Sequence, residues 1–211
     1  FALELHHFPD GDYMLRVAIT GGIACGKSVV GSLFDANGIP TCDSDELAHR
    51  AILKGKPAYS RILKAFGRTI VGSDGEIVRA RLGKLVFGHP ERLARLNSIV
   101  HPEVKVMWKA WLRGLRAKAA AAVIIPLLYE TGLESDWDAV VCVGAPDCER
   151  VARLRVRGLS AGEINQRLAA QMPVWEKMEM ADHVIFNGGS MELLREQTVR
   201  VITELLERKH A

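Results

Sequence analysis

Residues 21–28 read Gly-Gly-Ile-Ala-Cys-Gly-Lys-Ser, and no other stretch of the 211-residue chain limits its fold as strongly. The spacing G-x-x-x-x-G-K-[ST] describes a loop that wraps phosphate groups. Its glycines let the backbone turn with the amides inward and leave no side chain in the way. A helix starting at the lysine adds its unpaired N–H groups and the positive end of its dipole. The motif requires a buried strand before it and a helix after it. Both are present: Leu15–Thr20 is apolar and follows Met14, and residues 27–37 carry a helical pattern. This assigns Gly21, Gly22, Ile23, Ala24, Cys25, Gly26, Lys27, Ser28 and Val29 to a nucleotide phosphate site. Lys27 supplies charge to the β- and γ-phosphates, and Ser28 is the candidate Mg²⁺ ligand. The plainer alternative, a glycine-rich turn with an incidental lysine, does not explain the strand and helix around it.

Elsewhere, short apolar runs alternate with helical patterns, which predicts an α/β chain with a parallel sheet covered by helices. The expected strands are 15–20, 39–42, 123–127, 139–143 and 183–186. About 80 residues separate the second from the third, far more than one crossover helix needs. A helical subdomain is therefore expected between them. Leu93, Leu96, Val100, Val104, Trp108, Trp111 and Leu115 recur mostly three or four apart. Pro102 interrupts this stripe and is expected to start a second helix, with His101 extended at the junction. Trp108 and Trp111 suit either the core or the wall of an acceptor pocket, and their helical spacing favours core. Ser160 and Glu163 form a capping-box pattern, placing a helix start at 161. Ser190 is the expected cap of a last helix with Leu194, Val201, Ile202 and Leu205 inward.

Three further features bear on chemistry. Asp43-Ser44-Asp45-Glu46 follows the second strand, and ligands of open α/β sheets sit at the carboxyl ends of strands. Asp45 is the candidate acid to receive a proton from an attacking hydroxyl, while Asp43 or Ser44 suits a helix cap. Glu130 follows the third strand only after Pro126-Leu127-Leu128-Tyr129, which suits a kinase better than a motor ATPase. Arg150, Arg153, Arg155 and Arg157 crowd into eight residues; arginine binds transferring phosphates in bidentate fashion, so a lid is expected here.

Composition closes off other classes. The longest nearly apolar run, residues 119–129, is far short of the roughly 20 residues of a membrane span. A formal net charge of +3 is too mild to argue for nucleic acid, and no nucleic-acid motif accompanies the basic residues. The four cysteines form no CxxC pair and no histidine pair has zinc spacing, which predicts a reduced, cytoplasmic enzyme. Residues 1–13 carry Glu4, Asp10 and Asp12 but no Lys or Arg, and read as a tag or upstream extension rather than a secretory signal.

From Met14 to about Leu205 the chain resembles the dephospho-coenzyme A kinase family. The resemblance rests on an ordered set: Thr20-Gly21-Gly22-Ile23 with Gly26-Lys27-Ser28, then Asp43-Ser44-Asp45. Arg79 with Leu82-Gly83 and Val86-Phe87 comes next, then His101-Pro102 and Pro126-Leu127-Leu128 with Glu130. Arg167-Leu168-Ala169-Ala170-Gln171 and Ala181-Asp182-His183-Val184-Ile185 with Asn187 complete it. The phosphate loop alone would indicate only a superfamily. The resemblance implies Mg²⁺-dependent transfer of the ATP γ-phosphate to the ribose 3′-hydroxyl of dephospho-CoA. It implies a phosphate-loop NTPase-like five-stranded parallel sheet with a core over about 14–45, 116–146 and 182–211. A helical CoA-binding subdomain would occupy about 46–115 and a lid about 147–181. Asp45 is the implied base, with Lys27, Arg150 and Arg157 on the phosphates. Asp43, Arg79, His101, Leu128 and Glu130 are the implied acceptor contacts. A monomer or weak homo-oligomer is expected.

Ala24-Cys25 stands where relatives commonly have Gly-Ser, so Ala24 is expected to take a negative φ. Cys25, beside a helix N-terminus and Lys27, is expected to have a lowered pKa, making thiol reagents inactivating and ATP protective. His49 replaces an arginine common in relatives, and its role stays open. Another small-molecule kinase, with a nucleoside or nucleoside-monophosphate acceptor, is the main alternative. A non-catalytic nucleotide-binding module is the other.

Overall fold

The computed structural model describes residues 14–86, 88–115 and 117–208. The extension read at 1–13 and Phe87 of the resemblance lie outside them. Five strands form one sheet: β1 (Leu15–Gly21), β2 (Thr41–Asp43), β3 (Ala120–Ile124), β4 (Ala139–Gly144) and β5 (His183–Phe186). Their order is β2-β3-β1-β4-β5, and every pairing is parallel. β1, β3 and β4 are buried almost throughout, as a sheet with helices on both faces requires. β3 starts three residues earlier than expected and stops at Ile124. Pro126 has no N–H for a ladder, so the chain turns away there.

Helix α1 (Lys27–Ala36) and α9 (Met191–Arg208) cover one face, burying Val30, Phe34, Leu194, Val201, Ile202 and Leu205 against Val17, Ile19 and Val141. The other face carries α2 (Ser44–Ala51), α3 (Pro57–Phe66), α4 (Arg79–Val86) and α5 (Pro90–Arg113), all between β2 and β3. Between β4 and β5 lie α6 (Asp147–Val156), α7 (Ala161–Ala169) and α8 (Val174–Met180). The expected capping box is formed: Ser160 Oγ accepts from Glu163 N, and Glu163 Oε2 accepts from Ser160 N at 2.9 Å. Ser190 Oγ accepts from Leu193 N at 3.2 Å at the start of α9.

The break expected at Pro102 does not occur. α5 runs for 24 residues with Pro102 inside it and His101 helical. An internal proline costs about 3 kcal/mol. Val100, Val104, Trp108 and Leu112 all bury on one stripe. At ~1.5–3 kcal/mol each, their burial outweighs that cost. Trp108 is core, as expected, while Trp111 packs against the core only partly buried.

Candidate active site

The phosphate loop lies between the ends of β1 and β4 and is held by side chains from far along the chain. Lys27 Nζ donates to Gly21 O (2.9 Å) and Gly22 O (2.8 Å). Arg150 Nε donates to Ile23 O (3.1 Å), Arg153 Nη1 to Ala24 O (3.1 Å) and Asn187 Nδ2 to Cys25 O (2.9 Å). Five successive carbonyls are thus engaged by side-chain donors. Among the described residues, the N–H groups of Ala24, Gly26, Lys27 and Ser28 have no protein acceptor. Free amides at a helix N-terminus suit an anion. Two glycines are obligatory: at Gly21 (φ 139°) a Cβ would lie 2.1 Å from Val143 O, and at Gly26 (φ 102°) 2.3 Å from Asn187 Nδ2.

Two local expectations for the loop fail. Ala24 has φ 61°, the one positive value outside glycine among the described residues. The tethers on either side hold it there at a cost of about 1–2 kcal/mol. Ala24→Gly relieves that strain but adds chain entropy of ~0.5–1 kcal/mol and loses a methyl packed near Leu154 and Ile164. A modest net stabilisation is expected, about 0.5 kcal/mol, seen as a higher Tm by calorimetry. The second failure is Cys25. It is fully buried, and burial raises its thiol pKa more than Arg150 and Lys27 lower it. Burial therefore opposes the reactive thiolate expected at Cys25. Burial also pushes Cys42 up to about 11 and Cys142 up to about 12. Cys148 alone is exposed. A thiol reagent should show one fast phase, absent in Cys148→Ser and unchanged in Cys25→Ser, with labelling followed by mass.

Asp43 caps α2, its Oδ1 accepting from Asp45 N at 2.8 Å. That cap directs Asp45 toward a cavity of about 560 Å³ lined also by Ser44, Asn97, His101, Lys105, Trp108 and Leu127. Desolvation first, and Asp43 second, raise the Asp45 pKa, while Lys27, His49 and Arg79 oppose the rise. Burial lowers the Lys27 pKa first, with Lys177 adding to the fall and Cys25, Asp45 and Asp43 opposing it. His101, on the cavity wall, is also lowered by burial.

The remaining named residues are dispersed. Leu128 is fully buried in the core, and Leu127 is the neighbour that faces the cavity. Glu130 Oε1 pairs with Lys177 Nζ (2.7 Å) and accepts from Met172 N (2.9 Å) rather than lining the cavity. Arg79 and Arg157 are exposed. Arg150 is buried beneath the loop with its Nη1 on Asp147 Oδ1 at 2.7 Å. Arg153, passed over in the sequence in favour of Arg157, touches the loop; no local signal separates the two. Ser28 is exposed at the start of α1. No cluster of three or more His, Cys, Asp or Glu able to hold a metal occurs among the described residues. Ser28 Oγ is an oxygen donor that could hold a divalent cation beside bound phosphates.

A parallel sheet in the order 2-3-1-4-5, with this loop after β1 and an acid after β2, defines a phosphate-loop kinase. The dephospho-CoA kinase family model matches residues 15–192. A dephospho-CoA kinase of Carboxydothermus hydrogenoformans is 40% identical over 189 residues, 88% of this chain and 92% of that protein. A Thermus thermophilus crystal structure superposes with a TM-score of 0.80 at 38% identity, covering 92% of this chain and 98% of that one. A dephospho-CoA kinase structure from Campylobacter jejuni gives 0.67 at 27% identity over 91% of this chain and 97% of that one. The chain belongs to the dephospho-CoA kinase family.

Proposed function

We propose that this protein transfers the γ-phosphate of ATP to the ribose 3′-hydroxyl of dephospho-CoA, giving coenzyme A and ADP. The observation that carries the reading is the position of Asp45. Its carboxylate borders a cavity of small-molecule size and lies within the electrostatic reach of Lys27 on the phosphate loop. An acceptor in that cavity presents its hydroxyl to Asp45, which orients it and takes its proton. The apolar surface of Trp108, Leu127 and Val104 suits the acceptor's uncharged body, and Lys105 and His101 suit its polar groups.

Lys27 and the loop amides bind the phosphates of ATP and stabilise charge on the transferring group. Ser28 would hold Mg²⁺, which when bound adds positive charge at the β- and γ-phosphates. Arg150 and Arg153 hold the loop in shape, and with Arg157 on the same stretch they are the cations available to the phosphates. We assign residues about 46–115 to acceptor binding and 147–181 to a lid that excludes water, which otherwise competes as acceptor.

ADP release with Mg·ATP, measured with and without dephospho-CoA and with the product mass determined, tests the reading. Dephospho-CoA-dependent ADP and a product heavier by one phosphoryl group are expected, followed by a 3′-specific assignment. Transfer to nucleosides or nucleoside monophosphates instead would replace the acceptor assignment while keeping the kinase.

A further inference from the structure

The mechanism above leaves one buried charge unused. Lys177, on α8, is the only fully buried lysine among the described residues. Its ammonium donates to Pro126 O at 2.8 Å and pairs with Glu130 Oε1 at 2.7 Å. Both partners belong to the segment leaving β3, whose Pro126 and Leu127 line the acceptor cavity. The same Glu130 oxygen accepts from Met172 N at 2.9 Å. The residue before it, Gln171, accepts with its Oε1 from Ile23 N at 2.9 Å. Ile23 lies in the phosphate loop. Polar contacts, joined by the peptide link between Gln171 and Met172, therefore connect the cavity wall to the loop across residues remote in sequence.

A desolvated ammonium tolerates little change in geometry, because each lost contact leaves charge uncompensated in the interior. The segments 126–130 and 171–177 are thus locked to one another. Both contacts of Lys177 go to the segment leaving β3. We infer that Lys177 is a positioning residue that, through Glu130, seats Gln171 on the Ile23 amide and joins the acceptor-cavity wall to the phosphate loop. This rests on the loop binding nucleotide and not on the identity of the acceptor.

The test is a double-mutant cycle on ADP affinity, measured by calorimetry on the full chain. Lys177→Met, Glu130→Gln and Gln171→Ala should each weaken ADP binding about five-fold, the size of one lost hydrogen bond. Gln171→Ala combined with Lys177→Met, or with Glu130→Gln, should bind no more weakly than the singles, because one contact is being lost by different routes. A second readout separates the two ends. Lys177→Met should raise the acceptor KM, since Pro126 loses its anchor, while Gln171→Ala should leave it unchanged.

Additive losses in the cycle, or ADP affinity unaltered by Lys177→Met, would overturn the inference. So would an acceptor KM that moves equally in both variants. If Lys177→Met does not fold, Glu130→Gln keeps the side-chain shape and completes the cycle with Gln171→Ala. A wild-type chain that binds ADP but passes no phosphoryl group to dephospho-CoA would sink the proposed function and leave the ADP cycle decisive here. A wild-type chain with no ADP affinity would sink both.

Discussion

Asp45→Asn should bind Mg·ATP as the wild type does and turn over about 10²–10⁴-fold more slowly, the usual contribution of a positioned general base. The amide keeps the volume and can still hydrogen-bond, so what is removed is the capacity to take a proton. The pH profile makes the test specific. The Asp45 pKa is raised by desolvation and by Asp43. The carboxyl therefore protonates at a higher pH than an ordinary aspartate, and kcat/KM should fall as pH drops through that value. Asp45→Asn should abolish this acid limb. Full turnover with an unchanged acid limb would remove Asp45 from the role of base.

Lys27→Ala should lower kcat by about 10²–10³-fold, the range for deleting one preorganised charge-stabilising donor. The KM for ATP should rise as well, because Nζ also bridges the carbonyls of Gly21 and Gly22. Here too the sign of the shift gives a signature. Burial lowers the Lys27 pKa, so its positive charge is lost at a lower pH than that of a free lysine. Activity should fall on the alkaline side as that proton leaves. In Lys27→Arg, whose guanidinium stays charged, whatever activity remains should lack this limb. Steady-state kinetics over a pH series checks both statements. An alkaline limb that persists in Lys27→Arg would assign it to another group.

Together the two variants bracket the reaction. One removes the group proposed to receive the acceptor's proton, the other the charge on the phosphates. Retained ATP affinity with lost turnover is expected only of Asp45→Asn. The uncoupling separates chemistry from binding, as differential loss of kcat and KM should.

The features legible in the sequence are those governed by interactions a few residues long. Glycine spacing predicts the loop, because only certain residues allow its turn. Apolar runs predict five strands, and Ser160 with Glu163 predicts the start of α7 to the residue. Each reflects a hydrogen bond or a φ preference within one turn of chain. The ordered motifs carried the family resemblance for the same reason: every motif is a short local arrangement.

The features that failed or were missed depend on what lies above and below. Cys25 has two local neighbours that favour a thiolate, yet the tertiary fold removes its water, and desolvation wins. Pro102 is a local helix breaker, yet four buried side chains on one stripe carry the helix through it. Leu127 and Leu128 are equivalent in composition, and only the direction of the chain beyond β3 decides which one faces the cavity.

By itself, then, the sequence determined that this chain has a phosphate loop between a buried strand and a helix, with a candidate base after the next strand. Tertiary structure alone decided which arginines and amides hold that loop. Arg153 reaches Ala24 across 129 positions, Gln171 reaches Ile23 across 148, and Asn187 reaches Cys25 across 162. Such contacts follow from the strand order, which brings α6, the segment between α7 and α8, and the end of β5 to the loop after β1. No periodicity or capping signal acts over that distance. The same physics made Lys177, in the sequence one more positive charge of the segment between β4 and β5, the buried link between two sites.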